Sequence, residues 1–332
     1  MKRKIVNVLL CVVLGVSLLG CASQSPKASD SSKSLGLVSD DVTEESPAEV
    51  SKESPSPNVV IEESSSKQDA ALPDVRDFLN GNIKAVLDEG VQLGYDDFEK
   101  ENCGKEFTFD EVTEFLCNSP YSNPHTPTIL TYVLSIEDKD ILLIKYDGMD
   151  IYSPDDDSFV VLAVCAKDDG YHITYEVESW CRSEVYIYPD GVISSDGSAG
   201  AGDHIYDMGY LNSDGKYNLV SYAEECYSGW IRSLFQYYKD GMFSNDTLTL
   251  AAQLDGEESV ITLYTIDGTV YGFIEEAKTQ IEKDLIESSK KDGLEWISLD
   301  EMKMKVDKAM KAGVPNYDSE SLSEISWEIV NK

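Results

Sequence analysis

Residues 184–225 read EVYIYPDGVISSDGSAGAGDHIYDMGYLNSDGKYNLVSYAEE. In EVYIY, HIYDMGYL and YNLVSYAEE, apolar and polar residues alternate with a period of two, the signature of half-buried strands. Pro189-Asp190-Gly191 and Asp214-Gly215 stand between such runs, and Asp-Gly pairs favour tight hairpin turns. Between them, Gly197, Gly200 and Gly202 predict a turn that enters a strand near Asp203. A phosphate cradle would need a helix after the glycines, and here a strand pattern follows.

The same grammar extends outward. TILTYVLSI, DILLIKY, FVVLAVCAK and YHITYEVESW precede this stretch, and RSLFQYY, TLTLAAQL and SVITLYTI follow it. Asp147-Gly148, Asp168-Asp169-Gly170, Asp240-Gly241 and Asp267-Gly268 separate them. With no helix expected between these runs, a parallel α/β sheet is disfavoured. Helical spacing marks the flanks: Val75, Phe78, Leu79, Ile83, Val86 and Leu87, then TFDEVTEFLCN with a Thr108–Glu111 capping box. Ile274, Ala277, Ile281 and Leu285 form a later stripe. A Ser298–Glu301 capping box then opens a helix with Leu299, Met302, Val306 and Met310 inward, and a last helix is expected over 321–330, docking Ile325 and Trp327. The predicted fold is α+β, an antiparallel β-meander sheet flanked by N-terminal and C-terminal helices, in one domain over residues 72–332.

The chain begins MKRKIVNVLLCVVLGVSLLGCASQ. A basic start and an apolar run too short to cross a bilayer comfortably read as a secretory signal over residues 1–20. Leu18-Leu19-Gly20-Cys21 resembles the lipobox of bacterial lipoprotein signal peptides. That resemblance implies cleavage before Cys21 and a diacylglyceryl group on its thiol. Each buried CH₂ contributes about 0.8 kcal/mol, and two acyl chains anchor stably where one does so marginally. Residues 21–71 follow as a Ser-, Pro- and acid-rich stretch that lacks aromatic residues after Cys21. Such a composition cannot offset chain entropy by burial, so a disordered tether is expected.

The formal net charge is −35. A chain this acidic is repelled by nucleic acid and by anionic lipid headgroups, so no nucleic-acid partner is expected and any hold on a membrane comes from lipid. After Cys11 and Cys21, the cysteines Cys103, Cys117, Cys165, Cys181 and Cys226 remain. Their odd number and the lack of a C-x-x-C pair indicate neither a zinc ribbon nor a fixed disulfide framework. A Cys103–Cys117 bridge is one option and buried thiols are the other.

Three histidines are present. His204 alternates with Tyr206, Met208 and Tyr210, while Asp203 and Asp207 point the other way. Asp203, His204 and Tyr206 are thus weak binding candidates, with any carboxylate partner for His204 coming from another strand. His172 is expected on the wet face of its strand, and His125 in a proline-bounded loop. Asp147, Asp150, Asp155, Asp156 and Asp157 crowd one connection, an oxygen-rich set that could hold calcium. No catalytic residue is assigned.

FLNGNIKAVLDEG, together with YIYPDGVISSDGSAGAGDHIYDMGYLNSDGK, resembles uncharacterised exported lipoproteins of Gram-positive bacteria, which share a FLNG-type helix and a glycine-rich hairpin region ending in LN-x-DGK. The resemblance carries no activity and no functional residue. The sequence therefore predicts a lipoprotein on the extracytoplasmic face of the cell membrane, binding an extracellular protein or glycan. A tethered carboxylate-dependent hydrolase and a structural envelope protein are the alternatives. Replacing the lipidated thiol tests the address: Cys21→Ala expressed in a bacterium should leave the membrane fraction for the soluble one, and continued sedimentation with membranes would refute lipid anchoring.

Overall fold

A computed structural model describes residues 74–93, 101–118, 126–149, 158–200, 202–227, 229–238 and 241–330. The expected signal over residues 1–20 and the expected tether over residues 21–71 lie outside the described residues, as do His125, Asp150, Asp155, Asp156 and Asp157. The fold is α+β, and it holds two seven-stranded sheets where the sequence predicted one.

The first sheet contains β1 (Ala85–Leu87), β2 (Glu106–Phe107), β3 (Thr128–Ile136), β4 (Lys139–Asp147), β5 (Phe159–Lys167), β6 (Gly170–Ser179) and β14 (Glu328–Ile329), in the order β14-β3-β4-β5-β6-β1-β2. The second contains β7 (Ser183–Ile187), β8 (Val192–Gly200), β9 (Asp203–Leu211), β10 (Tyr217–Tyr227), β11 (Val260–Ile266), β12 (Thr269–Phe273) and β13 (Glu295–Trp296), in the order β13-β12-β11-β10-β9-β8-β7. Each long run of strands is an antiparallel meander; Asp-Gly pairs turn four of the hairpins, and Glu137-Asp138, both at positive φ, turn β3 into β4. The parallel contacts are β1 on β6 and β13 on β12.

Burial explains the sequence pattern of each sheet. In β4 and β5, Ile141 to Ile144 and Val160 to Cys165 are buried residue after residue, because both faces of the first sheet are covered. One face packs Leu142, Ile144, Leu162 and Val164 against a 3₁₀ turn (Val75–Phe78) and helix α1 (Phe109–Asn118). The other packs Leu143, Val161 and Ala163 against Ile187, Ile193 and Leu211 of the second sheet. On the second sheet, Cys226, Ile261 and Leu263 lie under α2 (Ile231–Tyr237), α3 (Asn245–Leu254) and α4 (Gln280–Lys291). Its opposite face buries Ala223, Tyr264 and Ile266 beneath α5 (Leu299–Gly313). At the close of α5, a Cβ on Gly313 would fall 2.0 Å from the Tyr210 ring, so only glycine lets that helix end lie on the sheet.

Both predicted capping boxes form. Thr108 and Glu111 exchange backbone contacts at 2.7 and 3.2 Å, and Ser298 and Glu301 do the same at the start of α5. Elsewhere the local reading is corrected. RSLFQYY and TLTLAAQL fall in α2 and α3: Ile231, Leu234 and Phe235, and then Thr247, Ala251 and Leu254, are buried at helical spacing. The alternating Thr-Leu-Thr-Leu imitates a strand, but Ser244 caps the helix by accepting from the Thr247 amide. The helix expected from Val75 onward is one 3₁₀ turn followed by β1, whose buried–intermediate–buried pattern has period two. The stripe from Ile274 becomes helical only at Gln280, after a Thr279–Glu282 capping box. Residues 321–330 form no helix: Glu328–Ile329 is strand β14, and the Ile325 amide donates to the Ile187 carbonyl at 3.0 Å. Finally, Gly197 and Gly200 lie within β8 rather than in the expected turn, and β9 begins at Asp203.

One carboxylate ties α3 to α4. Asp292 accepts from the Ser244 amide at 2.9 Å, the Ser244 hydroxyl at 2.8 Å and the Thr247 hydroxyl at 2.6 Å. Burial pushes its pKa up, but these donors outweigh burial and hold it below the ordinary carboxylate range. A depressed carboxylate contributes stability that is present above the unfolded pKa and lost as pH falls through the folded one. Asp292→Ala should therefore cost about 1 kcal/mol at pH 7, after allowing for solvent screening. Denaturant titrations of both proteins should converge at acid pH, and an equal gap at pH 7 and in strong acid would contradict this account.

Candidate functional site

The chain passes from the first sheet to the second in one tight turn, Trp180 to Ser183. The Ser183 amide donates to the Trp180 carbonyl at 2.8 Å, and the Trp180 amide donates to the Ser183 hydroxyl at 2.8 Å. The Ser179 hydroxyl donates to the Ser183 carbonyl at 3.0 Å. Across the strand pair, Gly197 stands opposite Ser183. A Cβ on Gly197 would sit 2.9 Å from the Ser183 Cβ and 3.2 Å from Cζ2 of Trp180. The indole thus rests where β8 has no side chain.

A cleft of about 660 Å³ opens beside this crossing. Phe159, Trp180, Tyr186 and Trp327 supply aromatic surface, and Lys145, Glu184 and Glu324 supply charge. The Lys145 ammonium lies 3.9 Å from the Phe159 ring centroid and 2.7 Å from an Asp147 oxygen. Tyr186 donates its hydroxyl to Glu184. Aromatic walls with a few directional polar groups are the usual make-up of a ligand site.

On the other side of Trp180 lies a smaller hollow of about 340 Å³, with Glu176, Glu178, Asp196 and Asp207 along it. Two of these acids have structural work. Glu176 accepts from the consecutive amides of Gln92 and Leu93 at 2.7 and 2.6 Å; Leu93 is fully buried with φ of 46°, so the carboxylate holds a strained bend. Asp207 accepts from the Tyr217 hydroxyl at 2.9 Å and from Ser195. Burial raises the pKa of Asp207, and those two donors offset part of the rise. Burial also raises Asp196, with Glu184 adding to it.

No family model, curated protein or solved structure matches this chain. Its site is therefore read from its own geometry.

The residues singled out in the sequence separate into several places. His204 and Tyr206 share a face of β9, their rings 6.5 Å apart, and Tyr227 meets the His204 ring edge-on at 6.0 Å. The residue directly across from His204 is Glu225 of β10, a carboxylate from another strand. Asp203 lies on the opposite face, paired with Cys226. Asp147 pairs with Lys145 at the cleft, while its four loop companions lie outside the described residues. His172 is not on a wet face. It is 7% exposed, and its two ring nitrogens contact Asp88 at 2.7 Å and Asp169 at 2.9 Å. The reason is β1, which pairs with β6 from Tyr171 to Ile173 and brings Asp88 over the ring. Cys103, Cys117, Cys165, Cys181 and Cys226 are all free thiols.

Trp180, Tyr186 and Trp327 were read in the sequence only as strand or helix residues. The one available signal was Trp180 with a polar Cys-Arg-Ser after it, a break between strands without the Asp-Gly pair that turns β5 into β6, β7 into β8, β9 into β10 and β11 into β12. The cleft wall depends on that break. Gly197→Ala should displace the Trp180 indole, shift tryptophan emission and destabilise the fold by about 1–3 kcal/mol. Unchanged emission with unchanged stability would show that the indole does not rest on this glycine.

Proposed function

We propose that this chain is a lipid-anchored binding protein on the extracytoplasmic face of a membrane, and that it takes an envelope glycan in the cleft beside the sheet crossing. The observation that carries the reading is the cleft wall: Phe159, Trp180, Tyr186 and Trp327 around one opening, with Lys145, Glu184 and Glu324 among them. Pyranose rings present an apolar C–H face, which suits indole and phenol rings, and a girdle of hydroxyls, which suits carboxylate acceptors and an ammonium donor. The strong acidity of the chain favours a neutral or basic ligand over a polyanion. A long hydrophilic stretch after Cys21 would give the folded body reach from the membrane.

A second reading, a tethered hydrolase, rests on Asp207, an acid that burial holds toward its protonated form beside the smaller hollow. The hydroxyls of Ser195 and Tyr217 already occupy its oxygens, which favours binding over catalysis. Titration of the full chain with soluble envelope glycan fragments should change tryptophan fluorescence saturably. Trp327→Ala should weaken that binding by about 2 kcal/mol, the loss of a central aromatic anchor. A flat titration, or full affinity in Trp327→Ala, would exclude the cleft as the glycan site; turnover abolished in Asp207→Asn would favour the hydrolase.

A further inference from the structure

The second sheet carries a group of polar donors that the cleft does not use. On the face of β9 and β10 that runs toward α2, Asp203 stands directly across from Cys226. Glu224 lies two residues from Cys226 and therefore on the same face. One ligand atom from each of Asp203, Glu224 and Cys226 falls within 4.8 Å of the others. The Cys226 sulfur is 3.6 Å from Oδ1 of Asp203 and 4.0 Å from Oε1 of Glu224.

Two independent features make this more than a patch of acids. The first is chemical. Cys226 is only 2% exposed, and its thiol has a single hydrogen facing two carboxylate oxygens. It can donate to only one of them at a time, so one sulfur and two carboxylate oxygens converge on a single point, a mixed donor set that suits a zinc-like ion. Among the described residues no ion pair involves Asp203 or Glu224. The second feature is metric. A thiolate at about 2.3 Å and a carboxylate oxygen at about 2.0 Å from one tetrahedral zinc lie about 3.5 Å apart. The two sulfur–oxygen distances sit at and slightly beyond that value. Asp203 and Glu224 are half-buried, which leaves an approach from solvent.

We propose that Asp203, Glu224 and Cys226 form a three-ligand site for a zinc-like divalent metal ion, with the fourth tetrahedral position open. Sulfur disfavours calcium and magnesium, which take oxygen ligands. Binding breaks the S–H bond of Cys226, forms a metal–sulfur bond and releases the thiol proton to solvent. The site is separate from the crossing cleft and does not depend on what that cleft holds.

Cobalt(II) reports it directly. The full-length chain should bind one cobalt ion per molecule and develop a thiolate-to-cobalt charge-transfer band in the near ultraviolet, which zinc then abolishes. Cys226→Ser should lose the band, and Asp203→Asn and Glu224→Gln should each weaken binding at least tenfold. Far-ultraviolet circular dichroism establishes that each variant folds. If Cys226→Ser does not fold, the two carboxylate variants at half-exposed positions decide the matter. No band in the wild-type chain, a band that survives in Cys226→Ser, or wild-type affinity in both carboxylate variants would overturn the site.

Discussion

The contact on which the rest of the molecule depends is the packing of one sheet on the other through Leu143, Val161, Ala163, Ile187, Ile193 and Leu211. It joins two meanders that would otherwise each expose an apolar face, and a large exposed apolar face is costly in water. The link between them is only the short turn from Trp180 to Ser183, whose backbone and hydroxyls satisfy one another. Because the turn is short, the sheets cannot separate at that point, and the aromatic cleft opens beside it. The C-terminal segment closes the same region: Ile325 enters this core and its amide bonds to Ile187.

Much of the fold was legible in the sequence, and for identifiable reasons. The strands flanking Asp168-Asp169-Gly170, Asp190-Gly191, Asp214-Gly215 and Asp267-Gly268 formed where expected, since those turns impose their geometry locally; the runs on either side of Asp240-Gly241 became helices instead. Two capping boxes were found from four residues, Thr108, Glu111, Ser298 and Glu301, because each is a local exchange of hydrogen bonds. What escaped was set by partners distant in the chain. The division into two sheets depends on the Trp180–Ser183 turn, which carries no strong turn signal. Thr247 to Leu254 has strand-like alternation and yet is helical, because Asp292, remote in sequence, holds its first turn. His172 was placed on the solvent side by alternation alone. A parallel strand from the N-terminal segment covers it.

The candidate sites divide along the same line. His204 and Tyr206 were correctly set on one face and Asp203 on the other, since that follows from strand geometry. Neither Glu225 opposite His204 nor Cys226 opposite Asp203 could be known without the register of β9 on β10. The aromatic residues of the cleft come from β5, the crossing turn, β7 and the C-terminal segment, four places that no spacing rule connects. Charge also distributes unevenly. On the second sheet Asp196, Asp203, Asp207, Glu224 and Glu225 all have pKa values raised by burial. Beside the first sheet, Asp88 contacts both Lys167 and His172.

The sheet margins have a further consequence. At one end the first sheet finishes on Glu328–Ile329 and at the other on Glu106–Phe107, and the second finishes at one end on Glu295–Trp296. Each of these is two residues long, and each includes a glutamate. A margin that short offers a neighbouring molecule almost no ladder to extend, and its charge repels a like copy. The fourth margin, β7 (Ser183–Ile187), is five residues long; it carries Glu184, and the C-terminal segment covers its end, where the Ile325 amide donates to the Ile187 carbonyl.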